Sequence, residues 1–205
     1  MDLEKRELMI KMKNGDDQAF DEVYRSYSGK LYRMALFITG NRSDSEDVLQ
    51  ETFVKCYLHR GELKDPERFE SWIYQILVRT AWKMEKKKKN TGEVSFEEML
   101  ETDEGRSSSL GQRLSADDSM GPLESVLQKE VSREICDAVN RLDIRYRTVI
   151  LLYYYNGLGI REISQVTGVF QGTVKSRLNK ARKLLRESLD HHEEDSRKGL
   201  KEAVL

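Results

Sequence analysis

Apolar side chains recur at helical spacing along most of this chain. Near the N-terminus the spacing i, i+3, i+4, i+7 occurs twice, first at Phe20, Val23, Tyr24 and Tyr27, then at Leu31, Met34, Ala35 and Ile38. This spacing places each set on one face of a helix. Gly29 and Gly40 interrupt the pattern and predict breaks. No stretch alternates between apolar and polar residues as a half-buried strand would, so an all-α fold is expected.

Two further helices are predicted from their start signals. Ser43 and Glu46 have the spacing of a capping box, which predicts a helix from Ser43 to Leu58. Asp65 followed by Pro66 provides a cap and a proline at the first helical position. The helix that follows carries one apolar face and then runs into a lysine cluster. That face is formed by Phe69, Trp72, Ile73, Ile76 and Thr80.

The C-terminal half combines a short helix, a glycine turn and a longer basic helix. Ile160, Ile163 and Val166 make the short helix amphipathic, and Gly168 is suited to the positive φ that ends a helix. Residues 171–186 read QGTVKSRLNKARKLLR, with six cations and no acid. Their apolar side chains share one face, formed by Val174, Leu178, Ala181 and Leu185. This arrangement is typical of a helix-turn-helix, whose second helix enters the DNA major groove.

Charge is unevenly distributed along the chain although it nearly cancels overall. The 205 residues carry a net charge of −1, which by itself predicts nothing about nucleic acid, but basic clusters occur at 83–89 and 175–186. Residues 90–122 are acidic, rich in Ser and Gly and poor in core residues, which predicts a flexible linker. We therefore expect two small helical domains joined by a flexible acidic linker. The expected division is a domain at 1–89, the linker at 90–122, a helix-turn-helix domain at 123–190 and a tail at 191–205.

The sequence contains few residues that suggest a disulfide, a metal site or a membrane segment. Cys56 and Cys136 fall in apolar helical patterns and are expected to be reduced core residues. His59, His191 and His192 lack the spacing of a metal site, so neither a metal nor another cofactor is expected. No apolar run is long enough to span a membrane, and the start MDLEKRELMI is too charged for a signal peptide. We expect a cytoplasmic protein without direct membrane insertion.

The C-terminal half resembles region 4 of bacterial sigma factors, most closely those of the extracytoplasmic-function (ECF) group. Residues 141–189 read RLDIRYRTVILLYYYNGLGIREISQVTGVFQGTVKSRLNKARKLLRESL, and the specific part is GTVKSRLNKAR at 172–182. Asp143 stands where the family usually has Pro, and Ser164 where it usually has Ala. The resemblance implies that helix 171–186 binds the promoter −35 element. The candidate −35 residues are Gln171, Thr173, Lys175, Ser176, Arg177, Asn179, Lys180 and Arg182.

The segment SDSEDVLQETFVKCYLH, residues 43–59, resembles the part of sigma region 2 that binds the clamp helices of RNA polymerase. On a helix, Val48, Thr52, Phe53 and Cys56 are expected to turn towards the core. The opposite side forms an acidic, amide-bearing stripe suited to a basic partner surface. The candidate polymerase-binding residues of this stripe are Asp47, Gln50, Glu51 and Val54.

The segment RFESWIYQILVRTAWKMEKKKKN, residues 68–90, resembles the part of region 2 that melts and reads the promoter −10 element. The preceding loop, 59–68, is where the family captures a flipped base. Many relatives have Asn at the position of Arg79 and Asp at that of Lys83, so strand binding is expected but no −10 sequence preference. The candidate −10 residues are Trp72, Arg79, Trp82, Lys83, Lys86 and Lys87.

Together the two halves predict an ECF-type sigma factor that binds core RNA polymerase, through its clamp helices and flap, and promoter DNA. The resemblance implies control by an anti-sigma factor and no enzymatic activity. In such factors the linker threads the RNA exit path, which an acidic strand would fit, although a plain tether explains it equally well. Two alternatives stay open at this point. An autonomous helix-turn-helix regulator would bind promoters without polymerase, and a nucleic-acid enzyme would show metal-dependent cleavage or modification.

Overall fold

The computed structural model describes residues 3–91 and 135–202, with side chains at 3–89 and 135–190. Residues 135–141 are helical. The other elements are α1 (Leu3–Lys13), α2 (Asp17–Thr39), α3 (Arg42–Leu58), 3-10 turns at Arg60–Glu62 and Pro66–Arg68, α4 (Phe69–Thr91), α5 (Ile144–Ile150), a π-helical turn at Leu151–Tyr155, α6 (Ile160–Thr167) and α7 (Gln171–Glu202). These residues include no strand, and the predicted all-α fold is confirmed. Nearly all of the predicted linker, and side-chain detail for the tail, lie outside the described residues.

Spatial proximity divides the described residues into two units. The first contains 3–91 together with 148–175, and the second contains 135–147 together with 176–202. The first unit therefore includes α6 as well as α1 to α4. This grouping follows proximity alone, so the predicted boundaries at 89/90 and 122/123 stay a prediction.

The core of α1 to α4 is built from one buried face of each helix. Leu31 and Ile38 of α2 and Ile73 and Leu77 of α4 have no exposed surface. The helix α2 continues through Gly29, so the predicted break there is wrong. A glycine inside a helix costs about 0.5–1 kcal/mol, whereas burying one leucine side chain contributes about 1.5–3 kcal/mol. The buried residues on both sides of Gly29 therefore keep the helix continuous.

The start of α3 also differs from the prediction. The helix begins at Arg42, and its N-cap is Asn41, whose Oδ1 accepts a hydrogen bond from the Asp44 N–H at 2.9 Å. Ser43 lies inside the first turn, and Glu46 pairs with Arg42 at 2.7 Å. Helix α2 ends at a left-handed residue 40 with φ of 80°, so the next residue is the first that can cap a new helix.

The start of α4 agrees with its predicted signal. Asp65 Oδ1 accepts a hydrogen bond from the Glu67 N–H at 3.0 Å, and Pro66 occupies the first position of the 3-10 turn. Phe69, the first residue of α4, is 1% exposed, and its ring centroid lies 5.1 Å from that of Tyr27. The 3-10 turn therefore feeds directly into a helix that is anchored in the core.

In the second unit, side chains of α5 cap the neighbouring backbone. Asp143, the residue before α5, accepts a hydrogen bond at Oδ1 from the Arg145 N–H at 3.0 Å, as an N-cap residue does. The Arg147 guanidinium donates to the carbonyl oxygens of Asn140 and, at 3.0 Å, of Leu142. Asn140 lies near the end of the helical residues 135–141 and Leu142 follows them, so the guanidinium supplies donors where the last backbone acceptors of a helix lack partners.

The basic helix is longer than its predicted core. It was expected over 171–186 and extends from Gln171 to Glu202. Within the part of the chain that has been described, no helix is both long and apolar enough to cross a bilayer.

Candidate nucleic-acid interface

The turn between α6 and α7 is held in one conformation. Gly168 has φ of 72° and its N–H donates to Ser164 O at 2.9 Å, which ends α6 as predicted. Ser164 Oγ then donates to Val169 O at 2.6 Å. On the other side, Val174 N–H donates to Phe170 O at 3.0 Å and starts the α7 ladder. The serine that replaces the family's usual alanine thus forms a hydrogen bond across the turn.

The basic helix α7 presents a polar face opposite its buried one. Val174, Leu178 and Ala181 are at most 2% exposed. Most of the candidate −35 residues are exposed, and Thr173 and Arg177 are half-buried. The exposed candidates are Gln171, Lys175, Ser176, Asn179, Lys180 and Arg182. This distribution is what a helix lying against phosphates requires, because the cations face outward and the apolar side chains do not.

Arg177 differs from the other cations of α7. Burial lowers the pKa of its guanidinium below the ordinary value, and the nearby positive charge of Arg145 lowers it further, against the opposing effects of Tyr146 and Asp143. An arginine remains charged in proteins despite such a shift. Its half-buried position and its neighbours Arg145 and Tyr146 place Arg177 on the side of α7 that faces α5. The phosphate contact predicted for Arg177 stays a prediction.

One cation of α7 was not selected from the sequence although its position favours it. Ser176, Asn179 and Lys183 follow i, i+3 and i+7 along the line opposite the buried residues. Lys183 is exposed and pairs with Glu187 at 3.7 Å. Extending the helical spacing from Ser176 by two turns would have included it.

The candidate −10 residues share one face of α4. Trp72, Arg79, Trp82 and Lys83 follow i, i+7, i+10 and i+11, with Lys86 one turn farther on and Lys87 beside it. Arg79 and the three lysines are exposed, whereas both tryptophans are half-buried. The exposed cations and half-buried aromatics are the combination that single-stranded nucleic acid favours.

Residues of α5 and α6 contact this same face within the first unit. Trp82 Nε1 donates to Thr148 Oγ1 at 3.0 Å, and Gln75 Nε2 donates to Gln165 O at 2.9 Å. At Gly168, an added Cβ would lie 3.5 Å from Arg79 Nη2. The two hydrogen bonds were not predicted, since they join residues 66 and 90 positions apart in the sequence.

An open pocket lies at the start of α4. It has a volume of about 500 Å³ and is bounded by the loop before the helix and by the first turns of the helix itself. Its lining includes Leu63, Asp65, Arg68, Trp72 and Gln165. The Trp72 ring is tilted 48° to that of Phe69, with centroids 6.0 Å apart, so one edge of the tryptophan is held by the core.

The candidate polymerase-binding stripe lies on the outer side of α3. Asp47, Gln50 and Val54 are exposed, and Glu51 pairs with Lys55 at 2.6 Å. The four residues expected to face the core are all buried, as predicted; these are Val48, Thr52, Phe53 and Cys56. Burial raises the pKa of the Cys56 thiol to about 12.

An apolar groove next to this stripe was missed by sequence reasoning. It measures about 620 Å³ and lies between α2 and α3, lined mainly by aromatic and aliphatic side chains. Tyr24 fits the predicted buried pattern of α2 but is 45% exposed here, and Val54 and Leu58 are 51% and 69% exposed. An apolar opening among described residues on two packed helices is a feature of partner-binding surfaces.

Comparisons with known proteins cover both halves of the chain. The model of Sigma-70 region 2 matches residues 23–91, and that of Sigma-70 region 4 matches residues 132–185. The ECF RNA polymerase sigma factor SigW of Bacillus subtilis (strain 168) is 31% identical over 192 residues, which cover 89% of this chain and 98% of SigW. The chain belongs to the ECF group of RNA polymerase sigma factors. SigE of Mycolicibacterium smegmatis is 28% identical over 185 residues, covering 89% of this chain and 67% of SigE.

Solved structures show the same fold as this ECF sigma factor. CnrH, in complex with the cytosolic domain of CnrY, has a TM-score of 0.60 at 20% identity and covers 91% of this chain and 97% of its own. The sigma factor RpoE of Bartonella quintana, in complex with the anti-sigma factor NepR, has a TM-score of 0.58 at 19% identity, with coverages of 83% and 96%.

This ECF sigma factor binds core RNA polymerase and promoter DNA and directs the initiation of transcription. The match to region 2 disfavours the autonomous regulator considered above, because such a regulator needs only the helix-turn-helix half.

Proposed function

We propose that this sigma factor divides promoter recognition between two helices, with α7 on the −35 element and α4 on the −10 element. The observation that carries the proposal is the polar, cationic face of α7 opposite Val174, Leu178 and Ala181, which follows a turn held at Ser164 and Gly168. A helix presented in this way enters the major groove with its N-terminal residues towards the base edges.

The residues of α7 are assigned by their place on that face. Gln171 and Thr173 lie at the positive end of the helix, where phosphate or base edges bind. Arg177 and Arg182 are assigned to phosphates, which give affinity without sequence information. The residues near bases are Lys175, Ser176, Asn179 and Lys180, for which lysine to guanine and asparagine to adenine are the favoured pairings.

On α4, Trp72, Arg79 and Trp82 are assigned to the melted −10 strand, with the lysines at 83, 86 and 87 on its phosphates. The pocket of about 500 Å³ beside Trp72 has room for one unstacked base, and the loop that bounds it is the one the family uses for capture. Because Thr148 of α5 and Gln165 of α6 contact this face, these contacts have to open before the strand binds.

Docking on core polymerase is assigned to the stripe of Asp47, Gln50, Glu51 and Val54. We assign this docking to the clamp helices, and a contact of the C-terminal domain to the flap. The acidic rim suits a basic partner, and the adjoining apolar groove adds area that a partner can bury. The proposed division is a polymerase-binding and −10 domain at 1–89, the linker at 90–122, the −35 domain at 123–190 and the tail at 191–205.

We further propose that the protein acts in the cytoplasm, has no catalytic activity of its own and is held inactive by an anti-sigma factor. Two structural relatives, CnrH and RpoE, were solved with the cytosolic domain of CnrY and with the anti-sigma factor NepR, which supports the last point. Recovery of this chain from uninduced cells bound only to core polymerase would contradict it.

Run-off transcription with purified core polymerase tests the function as a whole. We expect promoter-specific transcripts only when the chain is added, since neither component selects a start site alone. Tight promoter binding by the chain alone, together with no stimulation of the polymerase, would refute the proposal. Nuclease or base-modifying activity of the chain alone would refute the claim that it is not an enzyme.

Two charge variants test the assigned surfaces. Lys180→Ala should weaken −35 binding by about 1–3 kcal/mol if the lysine contacts a base in two places, whereas Lys11→Ala, which removes an exposed cation of α1, should not. An equal loss on every −35 sequence would reassign Lys180 to phosphate.

Glu51→Lys should block co-purification with core polymerase, and Glu4→Lys on α1 is its matched control. Normal co-purification of the Glu51 variant would contradict the assignment.

A further inference from the structure

Phe170 is the most exposed large apolar side chain among the residues for which side chains are described. Its exposed fraction is 87%, against 82% for Leu3 and 69% for Leu58. A single exposed apolar residue is ordinary on a protein surface, so exposure alone indicates no function. What distinguishes Phe170 is its place, because it is the residue immediately before α7.

The backbone that carries this ring is fixed on both sides. Val169 O accepts a hydrogen bond from Ser164 Oγ at 2.6 Å, and Phe170 O accepts one from the Val174 N–H at 3.0 Å. Because both neighbouring carbonyls are bonded, the turn cannot rotate freely, and the phenylalanine is presented at a defined place at the head of the helix.

The surface around the ring is open to a large partner. Gln171 and Gly172 are both exposed, and a Cβ added at Gly172 would meet no atom within 4 Å. The cations of α7 begin one turn farther on, at Lys175. Among the described residues, none next to Phe170 therefore blocks the approach of a DNA duplex that those cations attract.

The chemistry of the ring limits what it can recognise in a duplex. A phenyl group has no hydrogen-bond donor, acceptor or charge, so phosphates and most base edges offer it nothing. In the major groove the apolar group on a base edge is the 5-methyl of thymine, which phenylalanine is suited to contact. We propose that Phe170 packs on a thymine methyl group of the −35 element and contributes to the choice of promoter. This inference rests on the proposed binding of α7 to the −35 element.

The test uses holoenzyme formed from core polymerase and the full chain. Duplexes are first selected from a pool with a randomised −35 region, by the wild type and by Phe170→Ala. We expect the wild type to select thymine at one position where Phe170→Ala has no preference. Each thymine of the selected site, on both strands, is then replaced by deoxyuridine, which removes only the methyl group.

For the wild type, one such replacement should weaken binding about fourfold, the value expected for exposing one methyl group. The same replacement should have no effect with Phe170→Ala, and Phe170→Leu should retain part of it. Leu3→Ala is the matched control, since it also removes an exposed apolar side chain and should behave as the wild type. The high exposure of residue 170 predicts that both variants fold, which circular dichroism checks.

An equal loss for Phe170→Ala on thymine and deoxyuridine at every position would overturn the inference. So would no loss at all, or a loss confined to binding of polymerase or another protein. Lys180→Ala separates this failure from failure of the proposed function. If it weakens −35 binding while Phe170 shows no coupling to a methyl group, α7 still binds the −35 element and only the inference falls.

Discussion

Replacing Gly168 by alanine tests how far the helix-turn-helix depends on one backbone conformation. Gly168 has φ of 72°, a left-handed conformation that is strained for any residue with a Cβ atom. An added Cβ would lie 3.5 Å from Arg79 Nη2, an ordinary contact distance, so no steric clash contributes. The cost is therefore that of the left-handed conformation alone, about 1–2 kcal/mol. We expect Gly168→Ala to lower the free energy of unfolding by that amount.

Gly29→Ala is the matched control because it adds the same methyl group in a different backbone conformation. Gly29 lies within α2, and an added Cβ would meet nothing within 4 Å. Alanine there should raise the free energy of unfolding by about 0.5–1 kcal/mol. Urea unfolding followed by circular dichroism measures both changes in the free energy of unfolding. Each appears as a shift of the urea midpoint, with no change in the dependence of the free energy on urea concentration. Shifts of the same sign in the two variants would refute the reasoning.

Three further results are expected. Asn41→Ala should lower the free energy of unfolding, measured by thermal unfolding, by about 1 kcal/mol, because α3 loses its N-cap. Ser43→Ala should change it little. The opposite result would support the capping box predicted from the sequence. Burial opposes ionisation of Glu70, but hydrogen bonds and nearby lysines outweigh it and lower its pKa. The wild type should therefore lose stability relative to Glu70→Gln as pH falls below about 4.5, and parallel pH profiles would contradict this. In a thiol assay at pH 8, half-buried Cys136 should react before buried Cys56, whose pKa is raised to about 12, and equal rates would argue against that burial.

Local patterns in the sequence were sufficient to predict α3, α4, α6 and α7 and their outward faces, whereas α1 and α5 were not predicted. The spacing of Val174, Leu178 and Ala181 predicted the buried side of α7, and Gly168 predicted the end of α6, because both depend on residues within a few turns. The cap of α3 was predicted wrongly since Asn41 and Ser43 are both good cap residues, and only the end of α2 at Gly40 decides between them.

Features that depend on distant residues were beyond such reasoning. Tyr24 fits the apolar spacing of α2, but its exposure depends on how α3 packs beside it, which helical periodicity does not encode. The hydrogen bond from Trp82 to Thr148 joins two helical segments far apart in sequence. Neither residue type nor spacing indicates such a pairing, so the partner of the indole was absent from the prediction.

Whatever binds the side of α4 that holds Arg79 and Trp82 has to displace α6 from it. Because α6 belongs to the same polypeptide, it competes with any ligand for this side of α4 at an effective concentration that the chain itself sets. Diluting the protein therefore does not weaken the competition. A single-stranded ligand then binds with an apparent dissociation constant raised in inverse proportion to the uncovered fraction of molecules. If α4 captures the melted strand as proposed, that capture is coupled to any event that draws the two segments apart, including the proposed binding of α7 to a distant stretch of duplex.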